Sequence, residues 1–443
     1  MKREEYLAKV LSAAKARGCA AAETFYADLE AFSVNALNGD FDRYEAAKTR
    51  GLSLRVNWNG RDGYAFTETF DDAEGLISRA VDNACAVESD EEHPMQTRRD
   101  YRDVQRPASP FERLSERERI DLALSLERAA KAADSRVQRV VDCEVGVSGG
   151  SVMLSNTLGL SAARETGISY CYVSPVVAEG EEIKTGFAFR MGAEAADIEG
   201  CAREAVQDAV DKLGASPVPS GSYRVILRND AMGDLLSAFS GVFSAENAQK
   251  GLSLLAGREG TRIGADCVTI TDNPFHPVLP RAFDAEGTPG TRKAVVENGV
   301  LKTLLHNLTT AKKAGCKTTG NATRQNAASP VGAGPTVFYL EPGEKDFSAL
   351  VSEMDSGLVI TGLEGLHAGL NAISGDFSLK AEGYLVENGA RVRPVSGVTV
   401  AGNFLTLLSG VRRVAGDLKF GLPGNGCTGA PSVFVDKLSV AGK

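Results

Sequence analysis

Histidine is scarce in this chain, with four in 443 residues, at positions 93, 276, 306 and 367. None of them begins an H-E-x-x-H motif, the helical pattern that places two imidazoles on one metal with a carboxylate beside the bound water. The eight cysteines, at 19, 85, 143, 171, 201, 267, 316 and 427, never form C-x-x-C. They sit mostly in apolar or helical contexts and read as buried free thiols of a reducing compartment. No apolar run approaches the ~20 residues of a membrane span. The charged start, Met1-Lys2-Arg3-Glu4-Glu5, runs into an amphipathic helix with no signal peptide after it. A cytoplasmic protein without membrane contact is expected. Basic residues are also in deficit, 49 against 58 acidic, for a net charge of −9. Clustered Lys and Arg are what nucleic acid demands, so no direct nucleic-acid contact is expected.

What is present is an ordinary globular composition, 43% hydrophobic and 24% charged, long enough for two or three domains. Tyr6, Leu7, Val10, Leu11 and Ala14 form one helical face that Gly18 ends. Strand-like runs follow at 22–29, 31–37, 51–58 and 63–67, with a turn at Asn59-Gly60. Asp71 or Asp72 can cap a helix carrying Leu76, Ile77, Ala80 and Ala84. The Pro-containing stretch 87–110 is a surface excursion and marks a subdivision. Residues 114–133 and 193–213 are helical, and 137–190 reads as strands broken at Gly146, Gly149-Gly150 and Thr157-Leu158-Gly159. Residues 216–222, small and uncharged, form the clearest linker. Glycine, 47 in all, is in surplus after it, in short apolar runs that indicate turns and bulges. The fold class expected is α+β: an N-terminal strand-and-helix part over 1–215, then a β-rich C-terminal domain over 223–443.

The most particular stretch runs from Phe283 to Arg324. Gly287-Thr288-Pro289-Gly290 is a turn, and Asn298-Gly299 suits a type I′ hairpin between short apolar runs. Leu301, Leu304, Leu305, Leu308 and Ala311 recur at helical spacing, with Gly315 as the C′ stop and His306 in mid-helix as a structural residue. A polar loop, Lys317 to Arg324, closes it. Asp284-Ala285-Glu286-Gly287-Thr288-Pro289, Val296-Glu297-Asn298-Gly299 and Thr319-Gly320-Asn321-Ala322-Thr323-Arg324 together resemble the TldD/PmbA family, whose members are named in part as modulators of DNA gyrase and in part as metalloproteases. Gly357–Glu382, with its Ser-Gly-Asp-Phe turn and a second Glu-Asn-Gly hairpin at Asn388-Gly389, extends the resemblance, which covers nearly the whole chain and is strongest from Asp284 onward.

The resemblance implies that TldD-type members hold zinc through a helical H-E-x-x-x-H and a later Cys. At the equivalent place, just after the linker, this chain reads Asn229-Asp230-Ala231-Met232-Gly233-Asp234, and Cys427 falls where the later Cys is found. Both imidazoles are replaced. Asn is a poor transition-metal ligand, and one thiolate with one carboxylate is an incomplete zinc site. The resemblance therefore points to the TldE/PmbA type, with no metal, cofactor or catalytic residue in this chain. Zinc would sit in a TldD-like partner, unstructured peptides would be the substrate, and the C-terminal domain would form a dimer interface. The other reading is a non-catalytic homodimer that binds peptide or protein, of the gyrase-modulator kind.

Remaining motifs have plainer readings. Gly146-Val147-Ser148-Gly149-Gly150 matches G-x-S-x-G but lies between strand-like residues, so a Gly-Gly hairpin is expected rather than a nucleophile elbow. Gly421–Thr428 has Walker-like glycines but Cys427 in place of the Lys. His367, within the Gly-rich segment, is the one histidine placed to touch a groove.

Overall fold

The computed structural model describes residues 3–88 and 93–443. Helix α1 (Arg3–Ala16) leads into an antiparallel meander of β1 (Ala21–Leu37), β2 (Asp40–Trp58) and β3 (Arg61–Thr67), followed by α2 (Ala73–Ala86). Asp72 caps α2, its side chain accepting from the Gly75 amide at 2.7 Å. After an irregular strap come α3 (Glu116–Ala133), β4 (Val137–Asn156), β5 (Ser161–Glu179), two short strands β6 (Glu182–Thr185) and β7 (Ala188–Met191), and α4 (Ile198–Val210). The strands join in one sheet of order β3-β2-β1-β4-β5-β6, with β7 also on β5. β1 is central and pairs along nearly its whole length with β2 and β4.

Both helix pairs bury apolar faces against this sheet. Tyr6, Val10, Leu76 and Ile77 pack on Leu52, Leu54 and Val56, and Leu126, Ala130, Ala202 and Val206 pack on Val140, Val145 and Val173. Each fully buried Leu, Ile or Val contributes roughly 1.5–3 kcal/mol of apolar burial. The strands are longer than the sequence suggests. The 22–29 and 31–37 runs are one strand, and β4 passes straight through Gly146, Gly149 and Gly150. The expected Gly-Gly hairpin is therefore absent. The glycines serve close approach instead: a Cβ on Gly146 would lie 2.1 Å from the Tyr170 ring, and one on Gly150 would lie 2.1 Å from the Asp28 carbonyl oxygen. Asn38-Gly39, not singled out from the sequence, supplies the β1–β2 turn, both residues at positive φ.

The strap from 93 to 115 runs over the junction with the C-terminal part. Gln96 Nε2 donates to Thr288 Oγ1 at 3.2 Å, and the Tyr101 hydroxyl donates to the Gly287 carbonyl at 2.8 Å. The segment 216–220 is laid against the C-terminal part, with Val218 buried in its core, before strand β8 (Gly221–Leu227) and helix α5 (Asn229–Phe239). Two six-stranded sheets follow. One is built on Ile270–Asp272, Lys293–Glu297 and Val337–Leu340, the other on β8, Gly357–Glu364, Asp376–Glu387, Ala390–Asn403 and Val433–Ala441. Asn298-Gly299 and Asn388-Gly389 make the expected turns, all four residues at positive φ.

The leucine spacing from 301 to 311 misleads. The helix spans only Leu308–Ala314, begun by an Asn307–Thr310 capping box and ended by Gly315 at φ 65°. Leu301 ends a strand, and Leu304 and Leu305 enter the core from irregular backbone. His306 precedes the helix. Its carbonyl accepts from Thr318 Oγ1 at 3.0 Å, from Thr319 N and Oγ1, and from Asn321 N, so the polar loop is wound on one backbone oxygen. Among the described residues no helix is long and apolar enough to cross a membrane.

Candidate functional site

Asn229, Asp230 and Asp234 line one cavity: Asp230 and Asp234, at i, i+4 spacing, share a face of α5, and Asn229 is the first residue of that helix. The cavity, of about 810 Å³, lies between α4, α5 and the strand Gly357–Glu364. Asn229 is already committed. Its Nδ2 donates to the Asp417 carbonyl at 3.0 Å and its Oδ1 accepts from the Asp230 amide at 2.9 Å. Asp230 meets Lys419, whose ammonium lies 3.0 Å from Asp230 Oδ1 and 3.4 Å from Glu204 Oε1 on α4. The lysine also sits 5.3 Å from the centre of the Phe189 ring. Burial, with the Asp230 charge added and Lys419 opposing, pushes the Asp234 carboxyl up to about 6.

Cys427 does not join them. Side chains alternate along the strand Cys427–Ala430, so Thr428 lines the cavity while Cys427 turns to the other side, among Val337, Tyr339 and Phe420. Its Sγ contacts the Gly421 carbonyl at 3.4 Å, and burial pushes the thiol up to about 12. A tetrahedral zinc needs a converging set of Cys, His or carboxylate ligands. Here an amide is spent on backbone, a carboxylate is paired with a tethered ammonium, and the thiol points elsewhere. The residues do not fit zinc, and no group of three His, Cys, Asp or Glu side chains among the described residues is arranged to hold a metal. His367 is exposed in the loop between Gly357–Glu364 and Asp376–Glu387, apart from this cavity.

The motif stretch builds a second, largely buried polar assembly where the first sheet meets the C-terminal part. Asp284 Oδ1 accepts from the amides of Glu286 and Thr288, both at 2.9 Å, and its Oδ2 from that of Ala322 at 3.0 Å. One carboxylate thus ties the Asp-x-Glu-Gly turn to the Thr-Gly-Asn loop. Glu286 Oε2 accepts from the Leu308 amide at 2.8 Å, satisfying an otherwise orphaned donor in the first turn of that helix. Asp272 receives Asn321 Nδ2 at 2.8 Å, Lys293 Nζ at 3.1 Å and Thr336 N at 2.7 Å. Across the junction Arg55 and Asp62 form a buried pair at 2.6 Å, and Arg55 also reaches the His93 carbonyl. Burial pushes Asp284 up to about 6. Burial together with the Asp284 charge pushes Glu286 up to about 8. The turn glycine is required twice over: Gly287 has φ 77°, and a Cβ there would lie 2.8 Å from Leu160.

Sequence reading singled out the motif but gave no role to Lys419, Glu204, Arg55, Asp62, Arg164 or Arg281. Arg55 and Asp62 lie in stretches, 51–56 and 59–64, that resemble the start of the family's members, but the other four stand in no local pattern. Lys419 and Glu204 are 215 positions apart and meet only through tertiary packing. The one signal for the motif carboxylates was their place in a tight turn, where an Asp side chain bonds amides two and four residues on.

Family comparison agrees along the chain. Residues 22–86 match the model for PmbA/TldA metallopeptidase domain 1, residues 109–213 the central domain and residues 220–442 the C-terminal domain. A Methanothermobacter thermautotrophicus protein named metalloprotease is 27% identical, over 90% of this chain and 89% of its own. Metalloprotease PmbA of Escherichia coli O157:H7 is 25% identical, over 90% and 88%. The crystal structure of a Thermotoga maritima protein, proposed to modulate a DNA gyrase, superposes with a TM-score of 0.92 at 35% identity, covering 99% of this chain and 100% of the other. With all three domain models matched in order and the α+β fold shared end to end, the chain belongs to the PmbA/TldA metallopeptidase family.

Proposed function

We propose that this protein is the TldE/PmbA-type, non-zinc subunit of a two-subunit peptidase acting on unstructured peptides. A TldD-like partner would supply zinc, its ligands and the general base, and this chain would complete the chamber. The observation that carries the reading is the Lys419 ammonium seated against Asp230 and Glu204, beside Asn229 at the position of the first ligand. A cation tethered to the chain balances carboxylates that would otherwise favour a metal, and the remaining donors diverge. The gyrase-modulator reading would have to act through protein, because the net charge of −9 is adverse to DNA.

The test is tagged recovery of the chain from its own cells, with elemental analysis and peptide-cleavage assays on the chain alone and on any complex. A near-equimolar partner bearing H-E-x-x-x-H, zinc confined to that partner and cleavage only by the pair are expected. Chelator-sensitive cleavage by the isolated chain would overturn the reading, and recovery of a homodimer alone would move it to the non-catalytic binding protein.

A further inference from the structure

A cavity of about 590 Å³ lies between one face of the first sheet and three loops of the C-terminal part, around 279–285, 322–328 and 423–425. That is the size of small-ligand sites. Its walls are apolar over Phe25, Val152, Ile168 and Ala327, but four guanidinium groups line it: Arg50 at its exposed rim, over the Phe70 ring, and the more enclosed Arg164 from β5, Arg281 and Arg324. Arg164 and Arg324 make no hydrogen bond or ion pair among the described residues, and Arg281 spends one nitrogen on the Asn425 carbonyl. The Nε atoms of all three, and Nη1 of Arg324, are shielded from solvent without a partner. Arg324 lies over the Phe25 ring, 4.6 Å from its centre, and Arg164 over that of Phe283, 5.9 Å from its centre, so an aromatic face supports each.

Of the carboxylates that line the cleft, Glu68 is exposed and the other two are already engaged. Asp284 is saturated by three backbone amides, and Asp28 by Ser151, Tyr26 and Arg3. Burial and the neighbouring Arg281 charge bring the Arg164 guanidinium down to about 9, with Asp284 opposing them only in part. An acidic protein that gathers three under-bonded arginines in one half-apolar cleft is built to receive an oxyanion. Guanidinium is the group that grips one through paired N–H donors.

We propose that this cleft is a subsite for the C-terminal carboxylate of a peptide, Arg164 and Arg281 taking the carboxylate while the last, apolar side chain rests on Phe25, Val152 and Ile168. The inference rests on the peptide reading above and deepens it. A free peptide end offers a carboxylate and an apolar side chain on one residue, which inorganic phosphate offers only in part and an internal Asp or Glu side chain does not.

The test is fluorescence anisotropy of the full chain with an N-terminally labelled, unstructured hexapeptide ending in Phe, as the free acid and as the amide. The acid is expected to bind at least tenfold more tightly, with millimolar inorganic phosphate weakening the acid alone. Arg164→Gln should erase the acid-over-amide preference, and Arg164→Lys should keep part of it. Should Arg164→Gln not fold, the rise of the wild-type melting temperature with phosphate, stronger than with chloride at equal ionic strength, gives a readout free of variants. Equal affinity for acid and amide, or binding of neither, overturns the subsite. Equal affinity alongside recovery of a zinc-bearing partner would sink the subsite and leave the peptidase reading, and an acid preference without any such partner would do the reverse.

Discussion

Replacing Glu286 by Gln should flatten the pH dependence of stability between pH 6.5 and 8.5. In the folded chain this carboxyl is enclosed, with Asp284 and Glu23 repelling its charge, Arg55 offsetting part of that and the Leu308 amide donating to it, and it is raised from 4.5 to about 8. The folded state thus holds the proton more tightly than the unfolded chain. Its stabilising contribution is complete below pH 4.5 and is lost as pH rises through about 8. With those two values, linkage gives a loss of about 2 kcal/mol from pH 6.5 to 8.5, and about 1 kcal/mol if the folded value lies one unit lower. Gln keeps the oxygen that accepts from Leu308 and cannot ionise. Asp284, raised to about 6, contributes its own slope mainly below the chosen window. Urea unfolding of wild type and Glu286→Gln at half-unit pH steps is the assay. Wild type should weaken across the window while the variant holds level and overtakes it at the alkaline end. Parallel profiles would show that Glu286 is ionised throughout and would refute the account of a protonated, amide-bonded carboxyl in the turn.

Three further outcomes follow from the geometry. Gly150→Ala should destabilise strongly, because its Cβ would meet the Asp28 carbonyl at 2.1 Å, whereas Gly149→Ala, with its nearest neighbour at 3.4 Å, should melt within a few degrees of wild type; equal melting of the two would restore a flexible Gly-Gly turn. Lys419→Met should cost less than about 1 kcal/mol, the pair being partly exposed, yet move the Asp234 carboxyl above about 6, read by carboxyl carbon shifts; a downward shift would remove Lys419 as its counter-charge. Cys427, with its thiol near 12, should resist alkylation at pH 8 in the native state, while exposed Cys85 and Cys316 label at once; early labelling of Cys427 would contradict its burial.

The parts of the fold legible in the sequence are those fixed over a few residues. Asn-Gly turns, the Asp72 cap and the Gly315 stop are each set by local backbone chemistry, and each stands where it was read. What fails is inference from apolar spacing where tertiary contact sets the conformation. Leucines at 301, 304 and 305 mimic a helical face because a strand end and the irregular backbone after it dip into the same core, Leu305 pairing its backbone with Ser244. Glycines in β4 mimic a hairpin because a strand crossing a bulky Tyr170 and the β1 backbone also needs residues without side chains. No local rule separates a glycine that turns from one that yields space.

The same distinction governs the site. Helical periodicity puts Asp230 and Asp234 on one face, so their proximity was readable; the orientation of Cys427 was not, since one step along its strand decides which face it occupies. Lys419 lies eight residues before Cys427 and its ammonium reaches both Asp230 and Glu204. Replacing imidazoles alone would leave Asp230, Asp234 and Glu204 crowded and repelling. A lysine reaching from a neighbouring strand relieves that repulsion without any bound ion, so the cavity can keep its shape while the donor set no longer converges.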